Sequence, residues 1–270
     1  MLMYSVNKIE YEESEKGIFK VDIKSDSASD TILVHEDVLV RFELRKGMQL
    51  SLQMLEQLKH AQEDIKCYHA AIYYLSFRMR STKETRDYLY KKMYETHQIE
   101  SAIKRLTKEN LLNDQAFAEM FIKNRIHLSN KGPELIKREL DKLGISRDIV
   151  EQSIQTYSIS DQIKNARSYI EKKVNQGSKR YSAKEYKNKL TQKLIQRGYS
   201  QTIIKEVLQD VIYSNPELEQ EAIYFQGQKA MKKYRNYEGK EWAYKVKSYL
   251  FRKGFSIEDI NAFLQNSKEE

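Results

Sequence analysis

KRELDKLGISRDIVEQSI, from Lys137 to Ile154, returns as TQKLIQRGYSQTIIKEVL, Thr191 to Leu208, and as KSYLFRKGFSIEDINAFL, Lys247 to Leu264. Each copy carries a Leu, then a Gly, then a Ser at the same spacing: Leu140, Gly144, Ser146; Leu194, Gly198, Ser200; Leu250, Gly254, Ser256. A Gly that closes a run of helix formers can take the left-handed C′ conformation. A Ser just beyond it can accept an orphan amide hydrogen and open the next helix. The phrase therefore reads as helix, joint, helix. A degenerate copy precedes these, DYLYKKMYETHQIESAI from Asp87 to Ile103, with Met93 in place of the Gly. Leu89, Leu140, Leu194 and Leu250 lie 51, 54 and 56 residues apart, the mark of a tandem array of helical units.

Composition agrees. The chain has 270 residues, 40% hydrophobic and 32% charged, with 9 Gly and 2 Pro, too few breakers for a β-sandwich. A mean hydropathy of −0.74 implies much surface over thin cores. A single cysteine, Cys67, excludes an internal disulfide framework and fits a reducing cytoplasm. The residues show no signal-peptide apolar region and no apolar run of membrane-spanning length, so neither secretion nor a membrane span is expected. The net charge of +8 is uneven: residues 1–50 hold 7 basic and 10 acidic side chains, whereas residues 161–213 hold 12 and 5. Such a basic stretch suits nucleic acid or an acidic protein groove, and equally a solvated, Lys-rich face.

The first 48 residues differ from the rest. Val6, Ile9 and Tyr11, then Phe19, Val21 and Ile23, alternate about a polar turn at Glu15–Gly17, which predicts a hairpin. Thr31–Val34 follows as a strand, and Val38–Phe42 as a strand or a short helix. From Ser51 the period becomes helical, with one apolar stripe through Leu55, Leu58, Ile65, Tyr68, Ile72, Leu75 and Met79. Ser81 with Glu84, and Ser182 with Glu185, have capping-box spacing. Gly132-Pro133 stops one helix and starts another, and Asn215-Pro216 opens the last unit. The expected architecture is mainly all-α: an elongated, curved array of tandem three-helix modules with a small β-rich N-terminal appendage. Its segments are residues 1–48 (appendage), 49–112, 113–158, 159–213 (the most basic module) and 214–270.

Little in the chain suggests catalysis. His35, His60, His69, His97 and His127 are scattered, with no H-x-x-x-H pair and no Cys at ligand spacing. There is no phosphate-binding loop, dinucleotide fingerprint or nucleophile elbow. Cys67 lies in a helical stripe, as a buried inert thiol does. No cofactor or metal is expected. Tyr157, Tyr169, Tyr181, Tyr186 and Tyr199 interleave with the basic residues of the third module, where they stack bases or fill a thin core. Arg78 and Arg80 close to a helix end suit either the helix dipole or a cluster aimed at carboxylates and phosphates.

The run Ala71–Ser81 (AIYYLSFRMRS) with Glu84 and Leu89 resembles the opening of the RecX family, regulatory proteins that modulate the RecA recombinase. Asn113-Asp114, Phe117-Ala118, Arg125, Gly132-Pro133, Ile136, Leu140 and Gly144-Ile145 are similar to that family's second module. The likeness is closest over residues 68–155 and extends more loosely through both later repeats; the N-terminal His35-Glu-Asp-Val38 and Arg45-Lys-Gly47 also resemble long family members. The resemblance implies a non-enzymatic, monomeric cytoplasmic protein that binds the RecA–DNA filament in its groove and modulates, in the inhibitory direction, ATP hydrolysis, strand exchange and filament extension. A helical nucleic-acid-binding protein acting without RecA is the alternative. No catalytic residue is implied. The candidate contacts to RecA or DNA are Arg78, Arg80, Lys83, Arg86, Arg125, Lys131 and Arg138, with Lys172, Lys173, Lys179, Arg180, Lys184 and Lys187 in the basic module. Gly132, Pro133, Gly144, Ser146, Gly198, Ser200, Gly254 and Ser256 are expected to be structural joints.

Overall fold

The alternating N-terminal residues form a sheet in the computed structural model of the chain, which describes residues 3–14, 16–25, 28–174, 178–209 and 216–266. Strands β1 (Met3–Tyr11), β2 (Ile18–Lys24), β3 (Ser29–His35) and β4 (Gln49–Ser51) are antiparallel in the order β3-β2-β1-β4. Val6, Val21, Ile23, Val34 and Leu50 are buried on one face. Of the expected turn, Glu15 lies outside the described residues. Val38–Arg41 is helical and Phe42 is its C-cap: α1 (Glu36–Arg41) starts where the His35 ring accepts from the Asp37 amide at 3.1 Å. Strand β4 has no alternation to announce it, being three residues that pair with β1 just past Gly47.

Helix α2 (Leu52–Ser76) is long because it serves two cores. Its first half gives Leu55, Leu58, Ala61 and Ile65 to the sheet and α1. Its second half gives Cys67, Tyr68 and Ala71 to a three-helix core with α3 (Thr82–Lys91) and α4 (Thr96–Lys108). Met79 lies beyond the end of α2. Chain contacts define two units, residues 1–117 with 143–145, and residues 118–142 with 146–270. The remaining helices continue in threes. They are α5 (Asp114–Leu128), α6 (Pro133–Lys142) and α7 (Arg147–Ser153); α8 (Ile159–Val174), α9 (Ala183–Gln196) and α10 (Gln201–Gln209); α11 (Pro216–Lys233), α12 (Gly239–Arg252) and α13 (Ile257–Asn266). After α8 the chain is described again from Ser178, as a short 3-10 turn to Arg180, and Asn215 lies outside the described residues. Tyr186 and Trp242, which hold matching positions in successive repeats, pack into the cores of the third and fourth trios.

The repeated phrase is a joint that also docks. Gly144, Gly198 and Gly254 have φ of +79°, +86° and +92°. In the first unit the Leu143 carbonyl accepts from the Ser81 hydroxyl at 2.7 Å, at the start of α3. In the second, the Arg197 and Gly198 carbonyls accept from the Gly132 and Glu134 amides at 2.7 and 3.1 Å, at the start of α6. The Lys253 carbonyl accepts from the Ser182 hydroxyl at the start of α9. Each contact sets the orphan carbonyls of one helix end against the orphan donors or cap of another, with complementary dipole ends.

The serines behave less uniformly than their spacing suggests. Ser256 caps α13 by accepting from Asp259 N at 3.0 Å, and Ser200 receives Ile203 N at 3.4 Å. Ser146 makes no side-chain cap bond; it is exposed, so water can serve the first amides of α7. Ser81 and Glu84 form the reciprocal capping box. Ser182 caps Glu185, but the Glu185 carboxylate pairs with Lys253 at 3.2 Å instead of closing the box.

Met93 completes the pattern. It holds φ +66°, and the Tyr94 amide closes back on the Leu89 carbonyl at 3.3 Å, so the degenerate copy is the same joint. It is 88% exposed, so no neighbouring backbone demands a missing Cβ. Only left-handed strain remains. Met93→Gly is expected to raise stability by about 1 kcal/mol, partly offset by chain entropy. Urea unfolding checks this: a lower midpoint would show that the Met side chain itself contributes packing.

Candidate functional site

In the first unit the candidate arginines are held internally. Arg78 binds Glu84 at 2.6 Å and donates to the Met79 carbonyl at 2.9 Å. Arg80 lies 4.3 Å over the Tyr74 ring, which itself stacks on Tyr88 at 4.0 Å with planes 3° apart. Arg86 grips Glu100 through two nitrogens, at 2.8 and 3.2 Å, tying α3 to α4. That hydrogen-bonded pairing raises the Arg86 pKa and holds the Glu100 carboxyl below its ordinary value. Lys83 pairs with Asp87 at 3.2 Å, one turn along α3. Exposed pairs of this kind add little stability, but they occupy the donors a partner would need.

The second unit divides its cations. Glu139 receives both Arg125, at 2.8 Å, and Lys131. Burial pushes the Glu139 carboxyl up, but the hydrogen bonds from Lys131 and Arg125 outweigh it and hold the group below its ordinary range. Lys179 pairs with Glu221 at 3.2 Å, and Arg180 lies 5.4 Å from the Phe225 ring. Arg138 donates to the Glu134 carbonyl. Lys187 is exposed on α9. Lys172 and Lys184 are exposed, with no carboxylate within bridging distance among the described residues. The side chain of Lys173 lies outside the described residues.

Lys184 belongs to a groove that chain position does not reveal. It is lined by Lys184, Glu185 and Asn188 of α9, Lys233 of α11, Phe251 and Arg252 of α12, and Lys253 just past its end. Lys253 pairs with Glu185, Lys233 faces the Tyr249 ring at 5.8 Å, and among the described residues Arg252 donates only to the Ser248 carbonyl. Phe251 is 60% exposed beside them. The groove exists because the Gly254 joint brings the end of α12 against the start of α9: a Cβ on Gly254 would lie 3.0 Å from the Lys184 Cβ. Reading charge by chain segment misses Lys233, Arg252 and Phe251. The available signal was Phe251 itself, an aromatic one residue off the buried Val246–Leu250 stripe.

Other reactive groups are quiet or unexpectedly placed. Burial, with Asp64 adding, pushes the Cys67 thiol up to about 12, so it is inert at neutral pH. Two of the five histidines are neighbours in space: the His35 and His69 rings lie 4.4 Å apart. Among the described residues no helix is long and apolar enough to cross a membrane.

These features define a class: a small antiparallel sheet followed by tandem three-helix modules, joined by docked glycine turns and bearing charged outer faces. Family models agree with it module by module. The first three-helix domain of RecX matches residues 67–106, the second matches 113–154, and the third matches twice, at 160–208 and 217–264. The chain belongs to the RecX family of regulatory proteins. Regulatory protein RecX of Geobacillus sp. (strain WCH70) is 36% identical over 252 residues, 93% of each chain. That of Halalkalibacterium halodurans is 39% identical over 235 residues, 86% of this chain and 88% of the other. A crystal structure of RecX from Lactobacillus salivarius superposes with a TM-score of 0.53 at 32% identity, over 56% of this chain and 97% of that one. A second RecX crystal structure, 23% identical, shares the fold with a TM-score of 0.66 over 77% of this chain and all of that one.

Proposed function

We propose that the chain regulates the RecA recombinase by binding, without chemistry of its own. It engages the RecA–DNA filament as a cytoplasmic monomer and restrains ATP hydrolysis, strand exchange and filament extension in recombination and repair. Family membership supports the general reading. The observation that carries the finer one is the groove of Lys184, Lys233 and Arg252, whose cations bridge no carboxylate among the described residues and which sit beside an exposed Phe251. A nucleoprotein filament is an anionic partner, and successive modules supply weak contacts in series. Arg78, Arg86, Arg125 and Lys131 are demoted by their internal partners.

The test adds the protein to RecA on single-stranded DNA and follows ATPase and strand exchange, with preformed and with nascent filaments. The expected result is inhibition of both activities at stoichiometric protein, strongest on nascent filaments. No change in either activity overturns the reading. The alternative, nucleic-acid binding independent of RecA, is favoured by the same cations and exposed ring. It requires tight binding to DNA alone that weakens steeply with salt, as phosphate contacts release counterions.

A further inference from the structure

His35, Asp37 and His69 meet in the first unit although nothing in their spacing along the chain suggests it. His35 closes β3, Asp37 lies in the first turn of α1, and His69 stands in the second half of α2. One ligand atom from each, a ring nitrogen of either histidine and one Asp37 oxygen, lies within 4.8 Å of the other two, and the two rings are tilted by 39°. The surrounding frame is fixed independently. The His35 amide donates to Gln62 Oε1 at 2.9 Å, and Arg105 of α4 donates to Asp37 Oδ2 at 3.1 Å. No hydrogen bond reaches either ring nitrogen of His69 among the described residues. His35 and His69 face an open cavity also lined by Gly17, Glu36, Gln62 and Tyr94.

We propose that His35, Asp37 and His69 bind a divalent transition-metal ion of the zinc class. Two imidazole nitrogens and a carboxylate oxygen, drawn from three separate elements, are a donor set such an ion accepts, with a remaining position for water. Partial burial of the otherwise exposed ring, then the facing His35 ring, lowers the His69 pKa from its ordinary value. Asp37 has an oxygen to spare: Arg105 takes Oδ2 and leaves Oδ1, orienting the carboxylate as the partners behind metal ligands do. Glu36 and Asp37 offset the nearby charges of Arg105 and Lys66. His35 Nδ1 accepts from the Asp37 amide at 3.1 Å, so the ion takes that lone pair or the ring turns over to present Nε2. Either way the first turn of α1 loses its cap, and binding is coupled to the N-terminal sheet rather than to the cationic groove.

The untagged full-length chain is titrated with Co²⁺, followed by visible absorption, and with Zn²⁺ against a chromogenic chelator. One equivalent is expected to bind, with affinity falling as pH drops through the histidine range. His69→Ala, at an exposed position that leaves the core intact, is expected to weaken binding at least about tenfold, and Asp37→Asn to weaken it as well. Equal binding by the parent and His69→Ala overturns the site, as does no binding at stoichiometric protein. A thiolate charge-transfer band lost in Cys67→Ser would move the ion to Cys67 and overturn it too.

Discussion

Gly198→Ala is expected to cost roughly 2–6 kcal/mol, of which left-handed strain supplies about 1–3 and overpacking a similar share. Gly198 sits at φ +86°, and a Cβ there would lie 2.3 Å from the Leu135 amide nitrogen and 2.9 Å from its Cβ. Flexible side chains can move aside, but this obstacle is the first turn of α6. Gly132 faces the same contact from the other side, its own missing Cβ lying 2.5 Å from the Gly198 carbonyl group. Two backbones therefore touch, and the bonds from Gly132 N and Glu134 N to the joint depend on that approach. Breaking it releases α9 from α6 and leaves carbonyl acceptors without their donors. A loss of this size is a large part of a typical domain's stability. Gly47→Ala is the control: φ is +83°, yet nothing lies within 4 Å, so only strain is added. Chemical denaturation of both variants separates the terms. If Gly198→Ala melts no earlier than Gly47→Ala, the docked joint is not a structural requirement.

That comparison shows what can be read from residues in order and what cannot. The Leu–Gly–Ser phrase announces a helix stop and restart because glycine and serine act locally, on their own backbone and the next turn. It is silent on why the joint carries Gly at positions 144, 198 and 254 but Met at 93. The answer is a contact with residues far along the chain, at Lys83, Leu135 and Ser182, which the exposed Met93 lacks. The apolar stripe of α2 is likewise visible, whereas its division between two cores is not, since both halves have the same period. Strand β4 is too short to alternate. For the candidate contacts, charge and segment are legible but pairing is not. Arg86 meets Glu100 only because α3 folds back on α4, and Lys184 meets Arg252 only across a joint. Arg78 and Glu84 are near in sequence, yet their pairing still needed the turn at Ser81 to be known.

Those pairings lead to the second large effect. Reversing Lys184, Lys233 and Arg252 to Glu together is expected to raise at least tenfold the protein concentration needed to restrain RecA ATPase, while leaving the melting curve nearly unchanged. The stability half follows from geometry: none of the three bridges a carboxylate among the described residues, so no internal ion pair is lost. Lys253 is left alone because it neutralises Glu185. The binding half follows from magnitude. A tenfold change is about 1.4 kcal/mol, and three charges turned from attractive to repulsive against an anionic filament need supply only about 0.5 kcal/mol each. Reversal of Arg78 and Arg86 to Glu should behave in the opposite way, since it sets like charges against Glu84 and Glu100 and disturbs the α3–α4 pair. That variant is expected to melt earlier and, where folded, to restrain RecA as the parent does. If the two variants exchange roles, the contact surface lies on the first unit, and internal pairing is no guide to which arginines a partner meets. If the groove variant instead loses affinity for naked DNA in parallel with its effect on RecA, with a salt slope reduced by about one for each lost phosphate contact, then the groove reads phosphate rather than protein, and regulation runs through the DNA inside the filament.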